Sequence, residues 1–123
     1  MTEEIARITD ALSAVRMPAQ PEEYDIHAQV ASALGAASLA FEHEYRLGPR
    51  CRIDFKVGRV GIEVKKGRPA ASELLKQLKR YLEFDALDAV VVVMQQGVNL
   101  PGRISGKPVA VVSLNRLWGV ALP

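Results

Sequence analysis

Asp54, Glu63 and Lys65 are the residues of this chain whose types and spacing could do chemistry together. Glu63 and Lys65 stand two apart in the run Val60-Gly61-Ile62-Glu63-Val64-Lys65. In an extended segment side chains alternate between faces, so Gly61, Glu63 and Lys65 share one face while Val60, Ile62 and Val64 share the other. In the preceding run, Cys51 to Val57, the apolar set is Ile53, Phe55 and Val57, with Arg52, Asp54 and Lys56 opposite. Antiparallel pairing of the two runs then brings Asp54 beside Glu63. Two neighbouring carboxylates repel, and one stays protonated unless a cation sits between them. A divalent ion removes that conflict. Oxygen donors suit Mg²⁺ or Mn²⁺, which keep several waters and contact substrate phosphates, and an adjacent ammonium orients or deprotonates an attacking water. The same three residues without further context would read as ordinary cross-strand salt bridges, because an acidic residue two before a lysine is commonplace.

The elements that must position these residues follow from hydrophobic spacing. Thr2 caps a first helix whose inner face is Ile5, Ile8, Leu12 and Val15, ending at Met17-Pro18. A second helix starts near Pro21 and runs to about Ser38 with Ile26, Val30, Leu34 and Ala37 inward. The period then changes to two. Phe41 to Leu47, Cys51 to Val57 and Val60 to Lys65, joined at Gly48-Pro49 and Gly58-Arg59, predict a three-stranded antiparallel meander. Pro69 opens a helix to about Phe84 that buries Leu74, Leu75, Leu78 and Leu82. The run Ala89 to Met94 has no polar alternation and predicts a strand covered on both sides, so strand, helix and strand form a right-handed parallel crossover. A loop over 95–107 and a strand over Pro108 to Leu114 complete an α/β sandwich on a mixed sheet. The division is one domain, 1–123, with a helical extension over 1–17, a core over 22–95 and a loop and strand over 96–123.

Composition bounds the function classes. With 49% hydrophobic and 24% charged residues, 123 residues make one globular core rather than a disordered chain. The longest apolar run is six residues, Ala89 to Met94, against the roughly 20 needed to span a bilayer, so a soluble, cytoplasmic protein is expected. The lone Cys51 excludes an internal disulfide and a multi-thiolate zinc site. The net charge of +2 hides a segregation: residues 1–44 carry −6, residues 46–80 carry +8 and residues 81–123 are neutral. A basic middle third is either a solvated face or the footprint of a phosphate-binding surface.

Arg52-Ile53-Asp54-Phe55, Gly61-Ile62-Glu63-Val64-Lys65-Lys66 and Gln77-Leu78-Lys79-Arg80-Tyr81 together resemble the PD-(D/E)XK nuclease superfamily, which includes Holliday-junction resolvases, many restriction endonucleases and RecB-like exonucleases. The resemblance spans residues 22–95 and implies a restriction-endonuclease-like sandwich: helix, three-strand meander, helix, strand. It implies Asp54 and Glu63 as metal ligands, the Val64 backbone carbonyl as a further ligand and Lys65 as the catalytic lysine. Gln77 and Tyr81, four apart and so on one helical face, resemble the glutamine-and-tyrosine motif of the RecB-like branch. Ile53 stands where the family's proline would precede the aspartate. The acidic residue usually given by the first core helix has no clear counterpart: Glu22, Glu23 and Asp25 lie at the helix start, Glu42 and Glu44 at the first strand, and Glu44 is taken for the role. His27 and His43 receive no assignment.

The function the resemblance implies is a Mg²⁺- or Mn²⁺-dependent DNA nuclease that recognises structure or an end rather than base sequence, serving repair, recombination or mobile-element DNA processing. Arg46, Arg50, Arg52, Lys66, Arg68, Lys76, Lys79 and Arg80 are candidates for contacts to the DNA backbone. The competing reading is a nucleic-acid-binding module, or a subunit of a larger complex, that keeps the fold without turnover. Specific DNA interfaces bury on the order of 1,000–2,500 Å² of protein, which a domain this small would reach more easily as a homodimer.

Overall fold

The computed structural model describes residues 2–16 and 22–114 of the chain. Its order is α1 (Thr2–Leu12), α2 (Glu23–Ala36), β1 (Glu42–Gly48), β2 (Cys51–Val57), β3 (Val60–Lys65), α3 (Ala71–Leu82), β4 (Ala89–Met94), β5 (Arg103–Ile104) and β6 (Lys107–Ser113). The six strands form one mixed sheet in the order β1-β2-β3-β4-β6-β5. β1, β2 and β3 pair antiparallel, while β3, β4 and β6 run parallel. The structure is thus an α/β protein whose sheet is flanked by three helices. The Met17-Pro18 break and the Pro21 start expected between the first two helices lie outside the described residues.

Two apolar layers hold the helices on. On one face Ile8, Leu12 and Val15 from the α1 segment and Ile26, Val30 and Leu34 of α2 meet Val60, Ile62 and Val64 of β3 and Ala89, Val91 and Val93 of β4. The first helix shares the main core through the inner face expected of it. On the other face Leu74, Leu78, Tyr81 and Leu82 of α3 cover Val90, Val92 and Met94. β4 is buried at all six positions, as its valine run requires. Ala37, expected inward, is exposed because α2 ends at Ala36 and Ala37 caps it. Leu75 is only partly buried; Tyr81 is the deeper residue on the inner face of α3. The expected loop over 95–107 contains a short strand: Arg103–Ile104 pairs antiparallel with Lys107–Pro108 around the left-handed Ser105 and Gly106.

The meander departs from simple alternation at one place. Phe55 and Val57 pack on the α1/α2 face, but Ile53 and Cys51 pack on the α3 face, so the expected single apolar set of Ile53, Phe55 and Val57 is split. β1 does the same: His43 stacks on Phe55, with ring centroids 4.6 Å apart, while Tyr45 and Leu47 pack on the α3 side. The phase of both strands changes between these residues, at Asp54 in β2 and Glu44 in β1. His43↔Phe55 and Tyr45↔Ile53 are register partners, which sets Glu44 opposite Asp54. Glu44 has φ of +55°, the left-handed region that is rare for a side-chain-bearing residue in a strand. Paired residues of an antiparallel ladder share a face, so a phase change in one strand requires the same in its partner. The left-handed turn at Glu44 and the break at Asp54 are one structural event.

Candidate active site

The β2–β3 pairing runs through Val57↔Val60, Lys56↔Gly61 and Phe55↔Ile62. Asp54 and Glu63 are next in this register, but the side chain of Asp54 takes over the pairing: its Oδ2 accepts the Val64 N–H at 2.7 Å. A residue's N–H and C=O point to the same side of a strand, since hydrogen-bonded antiparallel partners exchange both, so the Val64 carbonyl faces the gap in which Asp54 lies. The phase change at Asp54 thus places a carboxylate and a backbone carbonyl between two strands, where a continuous ladder would have closed the space.

Glu63 projects from β3 towards α3, is 3% exposed, and pairs with Lys65, Oε2 to Nζ at 3.1 Å. Its other oxygen, Oε1, is buried without a hydrogen-bond partner. Burial first, and then the neighbouring Asp54 carboxylate, raise the Glu63 pKa from 4.5 to about 7, against the opposing pull of the Lys65 ammonium and the Tyr81 hydroxyl. Removing a carboxylate from water and setting another beside it disfavours the charged form.

Gln77 and Tyr81 meet as their spacing implies. Gln77 Nε2 donates to the Tyr81 hydroxyl at 2.9 Å, and that hydroxyl donates to the Arg52 carbonyl at 3.2 Å, tying α3 to β2 two residues before Asp54. Burial, then the Glu63 and Asp54 carboxylates, push the Tyr81 pKa upwards, so the hydroxyl stays a proton donor.

Glu44 has a different partner. Its Oε2 lies 3.2 Å from Arg52 Nη2 and its Oε1 4.0 Å from His43 Nδ1, and it does not figure among the charges acting on Glu63. The α2 residue that approaches Asp54 is His27, with Nε2 3.8 Å from Oδ2, beyond hydrogen-bonding distance. His27 Nδ1 and His43 Nε2 are hydrogen-bonded at 2.9 Å, and both rings pack on Phe55. The sequence signal for His27 is its place beside Ile26 and one turn before Val30, on the buried side of α2. Glu22 and Asp25 are occupied at the helix start, where the Asp25 carboxylate accepts the Glu22 N–H at 2.9 Å. Glu42 is an exposed β1 residue opposite Lys56.

Whether these residues fit a divalent cation is decided by the unpaired oxygen and the donor set. A buried carboxylate oxygen without a partner is costly, and a hard cation is the partner it suits. Among the described residues no three His, Cys, Asp or Glu side chains converge as a metal cage. Two carboxylates and a carbonyl instead match an ion that completes its shell with water and phosphate oxygens, the habit of Mg²⁺.

Scans of protein-family models, curated proteins and solved structures find no match to this chain. Among the described residues no helix is long and apolar enough to cross a membrane.

Proposed function

We propose that the protein is a divalent-metal-dependent deoxyribonuclease of the restriction-endonuclease-like fold, hydrolysing phosphodiester bonds without base-sequence specificity. The observation that carries this reading is the buried Glu63 carboxylate, paired with Lys65 on one oxygen and unpartnered on the other, beside the gap held open by Asp54.

In the reaction a water oxygen bonds to phosphorus, one P–O ester bond breaks, and a proton of the water ends on the departing oxygen. Asp54, Glu63 and the Val64 carbonyl would hold Mg²⁺ or Mn²⁺, which when bound supplies Lewis-acid neutralisation of charge on the phosphoryl oxygens. Lys65, with a side chain 26% exposed, reaches the solvent side of the site, where its ammonium orients the water and stabilises charge on the pentacovalent phosphorus. Gln77 and Tyr81 are positioning residues that keep the β2 backbone fixed next to Asp54. His27 backs the Asp54 carboxylate from α2, where the resemblance would have set an acid.

The test is incubation with covalently closed circular, linear, single-stranded and branched DNA, with and without Mg²⁺ or Mn²⁺. The expected result is metal-dependent cleavage that Lys65→Ala reduces by about 10²–10³-fold, the cost of removing one charge-stabilising group, while DNA retention persists. Undiminished cleavage by that variant would refute the assignment. Cutting of the closed circle identifies an endonuclease, because an exonuclease needs an end. A homodimer acting on both strands goes with this reading, and sedimentation showing only monomer with and without DNA would remove it.

A further inference from the structure

We infer that a second phosphate-binding site adjoins the reactive one: a groove along α3 that holds the sugar–phosphate backbone of the DNA strand next to the phosphate being cut. This rests on the hydrolytic reading for its substrate, while its binding is tested at Lys76 and Arg80, which take no part in the proposed reaction. The groove has a volume of about 430 Å³; Lys65, Lys76, Gln77 and Arg80 line it together with the acidic Glu73 and the apolar Leu74. Lys76 and Arg80 are four apart on a helix, so they stand one above the other on the same side. Lys65 is shared with the reactive site, which makes the groove continuous with it.

The charges are placed for an anion that comes from outside. Lys76 Nζ meets Glu73 at 3.9 Å, with both side chains more than three-quarters exposed, and a solvent-exposed pair of this kind yields readily to a competing phosphate. Arg80 donates one Nη2 hydrogen bond to the Arg50 carbonyl at 3.2 Å, which leaves further guanidinium N–H groups for a phosphate and brings the basic β1–β2 turn alongside. Among the described residues no aromatic side chain lines the groove. It therefore lacks the stacking platforms that hold unpaired bases and suits the backbone, which is read without regard to sequence.

Binding in the absence of divalent metal tests this separately from cleavage. Fluorescence anisotropy of a labelled single-stranded oligonucleotide and of its duplex is measured between 50 and 200 mM KCl for three proteins. These are the wild type, Lys76→Gln/Arg80→Gln, and a control with equal charge removed elsewhere, Arg7→Gln/Arg103→Gln. Lys76 and Arg80 are exposed, so unchanged melting curves serve as the folding check. Loss of two phosphate contacts lowers the slope of log affinity against log salt by about 1.4 for single strands, so the groove variant should be about sevenfold less salt-sensitive over this range. The control should keep the wild-type slope. Equal loss in the control, an unchanged slope in the groove variant, or no DNA binding by the wild type would each overturn the proposal. A slope lost only in the groove variant, in a wild type that never cuts DNA, would uphold the groove and refute the hydrolytic reading. Lys65-dependent cutting with the groove slope intact would do the reverse.

Discussion

At the scale of single residues, Glu63 ties stability to function. Its folded pKa, about 7, lies above the ordinary value of 4.5, because the protein buries it and sets Asp54 beside it. A raised carboxylate pKa means the folded protein binds the proton more tightly than the unfolded chain. The stabilisation is then complete below about pH 4.5 and is lost as pH rises through 7. Across that window the metal-free protein should lose on the order of 3 kcal/mol, from a shift of about 2.5 pK units at 1.36 kcal/mol each. Glu63→Gln, neutral at every pH, should flatten this dependence and be more stable than wild type at pH 8, as urea titrations at pH 5 and pH 8 would show. A variant with the same pH slope as wild type would contradict the assignment of the shift to Glu63. The same substitution should abolish metal-dependent cleavage, so stability and activity are expected to move in opposite directions.

At the scale of elements, the site depends on the coordinated phase change of β1 and β2. Glu44 adopts the left-handed conformation that makes it possible, a state that costs a side-chain-bearing residue on the order of 1–2 kcal/mol. Glu44→Gly should therefore be close to neutral in melting temperature despite losing the ion pair to Arg52, and should retain cleavage. Glu44→Val, β-branched at positive φ, should be destabilised by about 1–3 kcal/mol. Loss of cleavage in the glycine variant at unchanged stability would instead return Glu44 to the metal site. Gly61 marks the same crossing from the other side: Ile53, turned to the α3 face, lies so close that a Cβ at Gly61 would overlap its Cδ1 and press on Leu87. Gly61→Ala should cost about 1–3 kcal/mol by overpacking, measured by chemical denaturation.

These two positions explain what could and could not be read from the chain. Strands β2 and β3 were legible to the residue because tight turns bound them and their apolar content is high. Lys65 beside Glu63 and Gln77 beside Tyr81 follow from periods of two and of nearly four within one element, which no tertiary force disturbs. The phase change was illegible, because Cys51, Ile53, Phe55 and Val57 form an unbroken alternation and only the two facing layers decide which of them each side takes. His27 was obscured for a related reason: its importance lies in the pairing with His43, sixteen residues away, which sequence spacing does not encode.

At the scale of the whole molecule, the sheet carries two unlike faces. The α1/α2 face is an apolar core, and the α3 face closes over Glu63 while opening at Lys65 and Lys76 towards solvent. α1 belongs to that core through Ile8 and Leu12, each at most 1% exposed. Leu12→Ala should accordingly cost about 2–5 kcal/mol, whereas a helix merely appended to the domain would show a change near zero in the same denaturation experiment. The charge pattern also resolves at this scale. Several cations of the middle third are matched to carboxylates, Arg52 to Glu44, Arg59 to Asp88, Lys66 to Glu22 and Lys76 to Glu73, and Lys76 and Arg80 also line the groove next to Lys65.

The central claim is that the Asp54–Glu63 pair is built for a divalent cation, and calorimetric titration with Mn²⁺ at pH 6, in two buffers of different ionisation enthalpy, tests it most directly. A cation entering this site must expel the proton that Glu63 holds below pH 7, so the wild type should bind Mn²⁺ with release of a proton, and Glu63→Gln should show neither the binding nor the release. Manganese binding that survives unchanged in Glu63→Gln, or no binding by the wild type at all, would contradict the account and leave a nucleic-acid-binding module without turnover as the better description.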